Sequence, residues 1–179
     1  ADSPAIKQHL DNKYGINSTY IPYGASSNCK ESTEILNQLG LEKEGYDLII
    51  ARMEPENNIE MILQGYTQTA MAKKMIVVGN TMNRFGKKLK EKYKNTKTIL
   101  FQGSIFDQEK LNGLRTNCNI YFHGHSVGGT NPSLLEAMSG RALIAAHDNI
   151  FNKNILGEDG FYFNTATQVA EIISTVDKK

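Results

Sequence analysis

A three-layer, Rossmann-like α/β domain built on a parallel sheet of about six strands is the fold class that the sequence predicts. Short apolar runs rich in β-branched residues recur at 47–51, 75–78, 98–101, 119–122, 142–146 and 161–163. Most are continuous rather than alternating, the pattern of strands covered on both faces. Helical periodicity fills the intervals at 58–70, 84–93, 108–115 and 133–139, with one more stretch at 168–176. Strand and helix therefore alternate, which calls for right-handed crossovers and helices on both sides of one sheet. At 179 residues the chain is long enough for one such domain and too short for two.

The first forty residues differ in character. A helix-like segment at 4–13 ends at a Tyr-Gly break, and residues 18–24 follow as an edge strand or an extended linker, because Pro22 cannot donate to a central ladder. Residues 1–23 are read as the end of a preceding domain and its linker, and 24–179 as the Rossmann-like domain. A helix-like stretch at 31–39 leads into the first strand. The chain starts at Ala1 without methionine, in what reads as the middle of a longer protein.

Hydrophobic residues at 40% and charged residues at 22%, spread without low-complexity blocks, mark a soluble globular chain. A net charge of +1 argues against nucleic acid or an acidic membrane as the main partner. Lys87, Lys88, Lys90, Lys92, Lys94 and Lys97 cluster around Glu91. They read as a solvated helix face, with weak attraction to anionic headgroups, and so peripheral membrane contact, as the second reading. Cys29 and Cys118 have no metal or redox spacing, and no run is long and apolar enough to span a bilayer, so the expected location is cytoplasmic.

In parallel α/β sheets ligands bind where strands turn into helices at their carboxyl ends. The richest such turn here runs His123-Gly-His125-Ser-Val-Gly128-Gly129-Thr130-Asn131-Pro132-Ser133-Leu134-Leu135-Glu136. Paired glycines let a ligand approach the backbone, and the helix opened by Pro132 offers N–H groups and a dipole to an anion. That anion is read as a phosphate. Glu136, one turn into the helix in apolar company, is read as a partly buried carboxylate that needs partners, and a ribose diol would supply them. Neither the Gly-x-Gly-x-x-Gly pattern nor a Walker A loop is present, which disfavours dinucleotide enzymes, epimerases among them, and ordinary ATPases.

Arg52, at the exit of the first strand, suits paired hydrogen bonds to a diphosphate. Gly103-Ser104-Ile105, with Asp107 as a helix cap, is a turn able to offer backbone groups to a base. His123 and His125 lie two apart on one side of an extended segment, so a metal site is a rival reading, but no third ligand stands near them. Hydrogen bonding of His125 to a sugar or phosphate is the preferred functional reading, with simple packing of the imidazole as the alternative.

Together these segments resemble the C-terminal, donor-binding domain of retaining glycosyltransferases with the two-domain GT-B architecture. The resemblance covers nearly the whole chain, and the run from Gly128 to Met138 is its most specific part. It implies that Arg52 and His125 serve catalysis, that Arg52 binds the diphosphate, and that Thr130, Asn131, Ser133 and Leu134 meet the phosphates. It further implies that Glu136 holds the ribose, and that Gly103, Ser104 and Ile105 meet the base. No metal or other cofactor is expected, the donor being a nucleotide diphosphate-sugar. Two departures stand out. Asn57 occupies the place of the diphosphate lysine, and Gly128 that of the first glutamate in Glu-x7-Glu. The variant loop resembles a bacterial subgroup of rhamnosyltransferases in surface polysaccharide assembly, implying dTDP-rhamnose or a UDP-hexose as donor and an acceptor saccharide on the absent N-terminal domain. A non-enzymatic nucleotide-binding module of the same fold is the alternative.

Overall fold

The computed structural model describes residues 1–26, 32–70 and 73–178. Six parallel strands form one sheet: β1 (Tyr46–Ile50), β2 (Lys74–Val78), β3 (Ile99–Gly103), β4 (Ile120–His123), β5 (Leu143–His147) and β6 (Phe161–Phe163). Their order across the sheet is β3-β2-β1-β4-β5-β6. The chain thus winds outward from β1 in one direction and from β4 in the other, which leaves a topological switch point between those two strands. They pair through Leu48 with Tyr121 and Ile49 with Phe122.

The alternation of side chains along each strand sorts the core into two slabs. Ile49, Met75, Val77, Phe122, Ala145 and Phe163 pack against α3 (Ile59–Tyr66), α4 (Arg84–Lys92) and α8 (Ala166–Thr175). Leu48, Ile76, Val78, Tyr121, Ile144 and Ala146 face α2 (Glu34–Leu39), α5 (Gln108–Asn117), α6 (Pro132–Ser139) and α7 (Ile150–Leu156). The three-layer expectation therefore holds. Strand and helix boundaries fall within a few residues of those read from the sequence, apart from the helix expected over 58–70, which ends at Tyr66. α7 is an addition, capped by Asn149. Part of the helix expected over 31–39, and Cys29, lie outside the described residues. Cys118 is buried, which pushes its thiol up to about 12.

The amino-terminal segment forms α1 (Pro4–Tyr14), capped by the Ser3 hydroxyl and packed on α7. Residues 18–24 take the extended, unpaired form of the two read for them, tied back by Ile21 N–H to the Ala1 carbonyl. The lysines of α4 lie on its outer face, where Lys88 and Lys92 pair with Glu60. Among the described residues no helix is long and apolar enough to cross a membrane.

Candidate functional site

A crevice of about 640 Å³ opens at the carboxyl ends of β1, β2 and β3 and at the head of α6, beside the switch point. This is within the range of sites that take a small-molecule ligand. Its walls come from three turns and one helix. Arg52, Met53 and Glu54 follow β1; Gly79, Asn80 and Asn83 follow β2; Ser104, Ile105 and Phe106 follow β3; Asn131, Pro132, Ser133 and Glu136 belong to the opening of α6. His125 and Arg115 complete it.

The turns after β1 and β4 are bound to each other before any ligand arrives. Asn58 donates from Nδ2 to the Gly124 carbonyl at 2.8 Å, and Ser126 donates both its N–H and its hydroxyl to the Glu56 carbonyl, at 3.0 and 2.8 Å. Gly124 is required here by close approach: a Cβ at this position would land inside the radius of the Asn57 carbonyl oxygen. On the far side, the carboxamides of Asn149 and Asn152 donate to the His125 carbonyl at 2.9 and 3.0 Å. The loop that carries His125 is thereby held from both flanks.

Arg52 lies at the crevice wall with its side chain 76% exposed, steadied by Glu54 at 3.2 Å. His125 stacks on His123 with ring centroids 4.9 Å apart. Burial, and next the positive charge of Arg52, hold His125 below the usual imidazole range, so at neutral pH it is an uncharged hydrogen-bonding group. His123 is buried deeper, its imidazole pushed down to about 3 by burial, and its Nε2 has no partner among the described residues. Among those residues no three His, Cys, Asp or Glu groups gather in a way that would hold a metal.

At α6 the Asn131 side chain caps the helix through the Ser133 N–H at 2.9 Å, with Pro132 in the first turn. The Ser133 hydroxyl meets the buried Tyr121 hydroxyl at 2.7 Å. Among the described residues no backbone carbonyl accepts from the N–H groups of Gly129, Thr130 or Asn131. Asp2 reaches this turn from the amino-terminal segment. Its carbonyl accepts from the Thr130 hydroxyl at 2.7 Å, and its carboxylate lies over Gly129, where a Cβ would stand 2.5 Å from Oδ2.

Of the residues read from the sequence, Arg52, Ser104, Ile105, His125, Asn131, Ser133 and Glu136 line the crevice. Six do not. Asn57 is buried furthest from such a role. It sits in a 3-10 turn, Pro55–Asn57, that folds its side chain inward, where it is buried and donates to the Arg52 carbonyl at 2.8 Å. It shapes the arginine turn from below instead of facing a ligand. Gly103 contributes a left-handed turn, φ +71°, that swings Ser104 and Ile105 to the wall. Leu134 is buried in the core, Thr130 is buried and occupied with Asp2, and Gly128 and Gly129 are not among the lining residues. Arg115, Asn80 and Asn83 were missed by sequence reasoning. Asn83 doubles as the cap of α4 and as a donor to the Met53 carbonyl at 2.7 Å, and its position just ahead of a helix was the available signal.

No family model and no curated protein matches the chain. Solved structures do. An Anabaena protein, HepE, in complex with UDP superposes with a TM-score of 0.85 at 18% identity, over 98% of this chain and 52% of its own. A glycosyltransferase from Rickettsia africae gives 0.83 at 18% identity, over 97% and 51%. Sucrose-phosphate synthase from Thermosynechococcus elongatus gives 0.75 at 16% identity, over 97% and 48%. The domain therefore has the Rossmann-like fold found in one half of GT-B glycosyltransferases, and it spans about half the length of these neighbours.

Proposed function

We propose that this domain binds the nucleotide diphosphate-sugar donor of a glycosyltransferase. The observation that carries the reading is the meeting, in one crevice at the switch point, of a strand-end arginine, Arg52, and the capped opening of α6 at Asn131–Ser133. A guanidinium and a helix N-terminus are complementary to a diphosphate. Ser104 and Ile105 offer a flat wall for the base, and Glu136 faces the position of the ribose. His125, uncharged and adjacent, hydrogen-bonds the sugar or its phosphate.

The same groups would stabilise the negative charge that grows on the leaving diphosphate, which is electrostatic catalysis with no covalent step on the protein. Sugar transfer, with retention, requires an acceptor saccharide held by a further domain. HepE, which binds UDP and UDP-glucose, supports a uridine donor; the His123–Ser133 loop points to dTDP-rhamnose as the second candidate, and to surface polysaccharide as the product. In this reading residues 1–23 join that further domain to this one, and no metal is required.

Calorimetric titration with UDP, dTDP, UDP-glucose and ATP tests it. UDP or dTDP is expected to bind at least tenfold more tightly than ATP, and Arg52→Ala to weaken it by about tenfold, roughly 1.4 kcal/mol. Equal binding of ATP, with no preference for the sugar-bearing donor, would instead favour a nucleotide-binding regulatory module. Measurable sugar transfer by this chain alone would refute the need for a second domain.

A further inference from the structure

Arg115 is the largest fully buried side chain of the domain, 2% exposed, yet it reaches the crevice from the last turn of α5. A buried guanidinium is costly unless its donors are met by charge and hydrogen bonds. Its Nη2 pairs with Glu136 Oε2, and its Nη1 donates to the Asn112 side chain at 3.2 Å. Nε is left without an acceptor among the described residues. The pair is asymmetric: the arginine is sealed, while the Glu136 side chain is 34% exposed and lines the crevice. Glu136 Oε1 has no partner among the described residues. A Cβ added at Gly140 would stand 3.3 Å from the Arg115 Cβ, so the turn after α6 leaves little room beside the arginine.

We propose that Arg115 is a positioning residue that grips one oxygen of Glu136 and fixes the other toward the crevice as the acceptor for nucleoside hydroxyls. The inference rests on the nucleotide reading of the crevice and adds to it the source of its ribose recognition. A glutamate on an open helix face samples several rotamers, each with a different reach, and every hydrogen bond to a ligand then carries the cost of ordering it. The planar guanidinium selects one rotamer in advance. Removing it leaves the carboxylate in place and takes away its aim.

The test compares UDP, 2′-deoxy-UDP and 2′,3′-dideoxy-UDP by titration against the wild-type chain, Arg115→Met and Arg115→Lys. In the wild type, loss of both hydroxyls is expected to weaken binding at least tenfold. Arg115→Met is expected to compress that ratio below threefold, and Arg115→Lys, which keeps the charge without the fork, to restore part of it. A purely structural arginine would lower the melting temperature and weaken all three ligands alike, leaving the ratio unchanged; that result overturns the proposal while sparing the nucleotide reading. A wild type that binds UDP without regard to its hydroxyls removes Glu136 from ribose recognition and the proposal with it. Failure of UDP to bind at all overturns the underlying reading. Should neither variant fold, the Arg115 Nε–H resonance of the unaltered chain decides: it shifts with UDP and stays still with the dideoxy analogue, and equal shifts refute the role.

Discussion

The two ends of β4 bury polar groups to similar depth, and only one of them opens into a crevice. At the amino end Asp47, on the neighbouring strand, accepts from the Asn119 side chain at 2.9 Å and from the Ile120 N–H at 3.2 Å, deep in the sheet. At the carboxyl end His123 keeps an imidazole nitrogen with no partner, Arg115 keeps Nε, and Asn57 keeps its carboxamide oxygen. Buried polar groups in folded proteins are overwhelmingly satisfied, so a cluster of exceptions marks either strain or an awaited partner. The crevice lies at the end of His123 and Asn57, and the amino end keeps exceptions of its own at Thr116 Oγ1 and Asn117 Oδ1. What separates the two ends is the crevice, which only the carboxyl end opens.

The contrast can be broken most forcefully at Gly124, where the loops after β1 and β4 touch. Gly124→Ala drives a methyl group into the Asn57 carbonyl and should cost about 3 kcal/mol in urea unfolding and abolish nucleotide binding, since it separates the arginine turn from the glycine turn. Normal stability with normal affinity would show that the two loops need no fixed spacing.

Acid should load the two ends in opposite directions. His123 has its folded value pushed down to about 3 against an ordinary 6.5, so as pH falls from 6.5 the unfolded chain takes up a proton that the folded one refuses. Stability is lost in that window, by about 3 kcal/mol at pH 4, and His123→Phe should flatten the decline. Asp47 has its folded value pushed up to about 6 by burial, against an ordinary 3.8. Its ionised form is penalised above pH 6 and the penalty fades toward pH 4. Asp47→Asn should therefore be more stable than the wild type by about 2 kcal/mol at pH 8, with the gap closing over that interval. Unfolding curves at a series of pH values check both signs, and nucleotide affinity should be unaffected by Asp47→Asn.

The smallest expected effect is at Asn57. Asn57→Ala frees the Arg52 carbonyl and should lower stability by about 1 kcal/mol and weaken UDP a few-fold by loosening the turn, because its side chain acts on the backbone and meets no ligand. A loss as large as that of Arg52→Ala would return it to the role of a direct phosphate ligand.

How far the sequence was legible follows from what each residue depends on. The strands are continuous apolar runs and the helices periodic, so their order could be read locally, and the order of a parallel sheet locates its ligand edge. The arginine after β1 and the glycine-to-proline turn after β4 were legible for the same reason. The burial of Asn57 was not legible because a 3-10 turn of three residues decides which way its side chain points, and that turn packs against Gly124. Arg115 was invisible because a basic residue in the last turn of a helix is an ordinary match to the helix dipole; the one hint was that Glu136, among apolar neighbours, needed a partner. α7 was overlooked for its shortness, although Asn149 before it and Gly157 after it are the start and stop signals of a helix.

The account rests on a diphosphate lying between Arg52 and the head of α6, and residue-resolved amide NMR during a UDP titration tests it most directly. Shifts are expected at 52–54, 104–106 and 125–133, with Asp47 and 117–120 at the closed end of the sheet unmoved. Shifts centred on the closed end or on the face between α1 and α7, with the α6 turn silent, would contradict it.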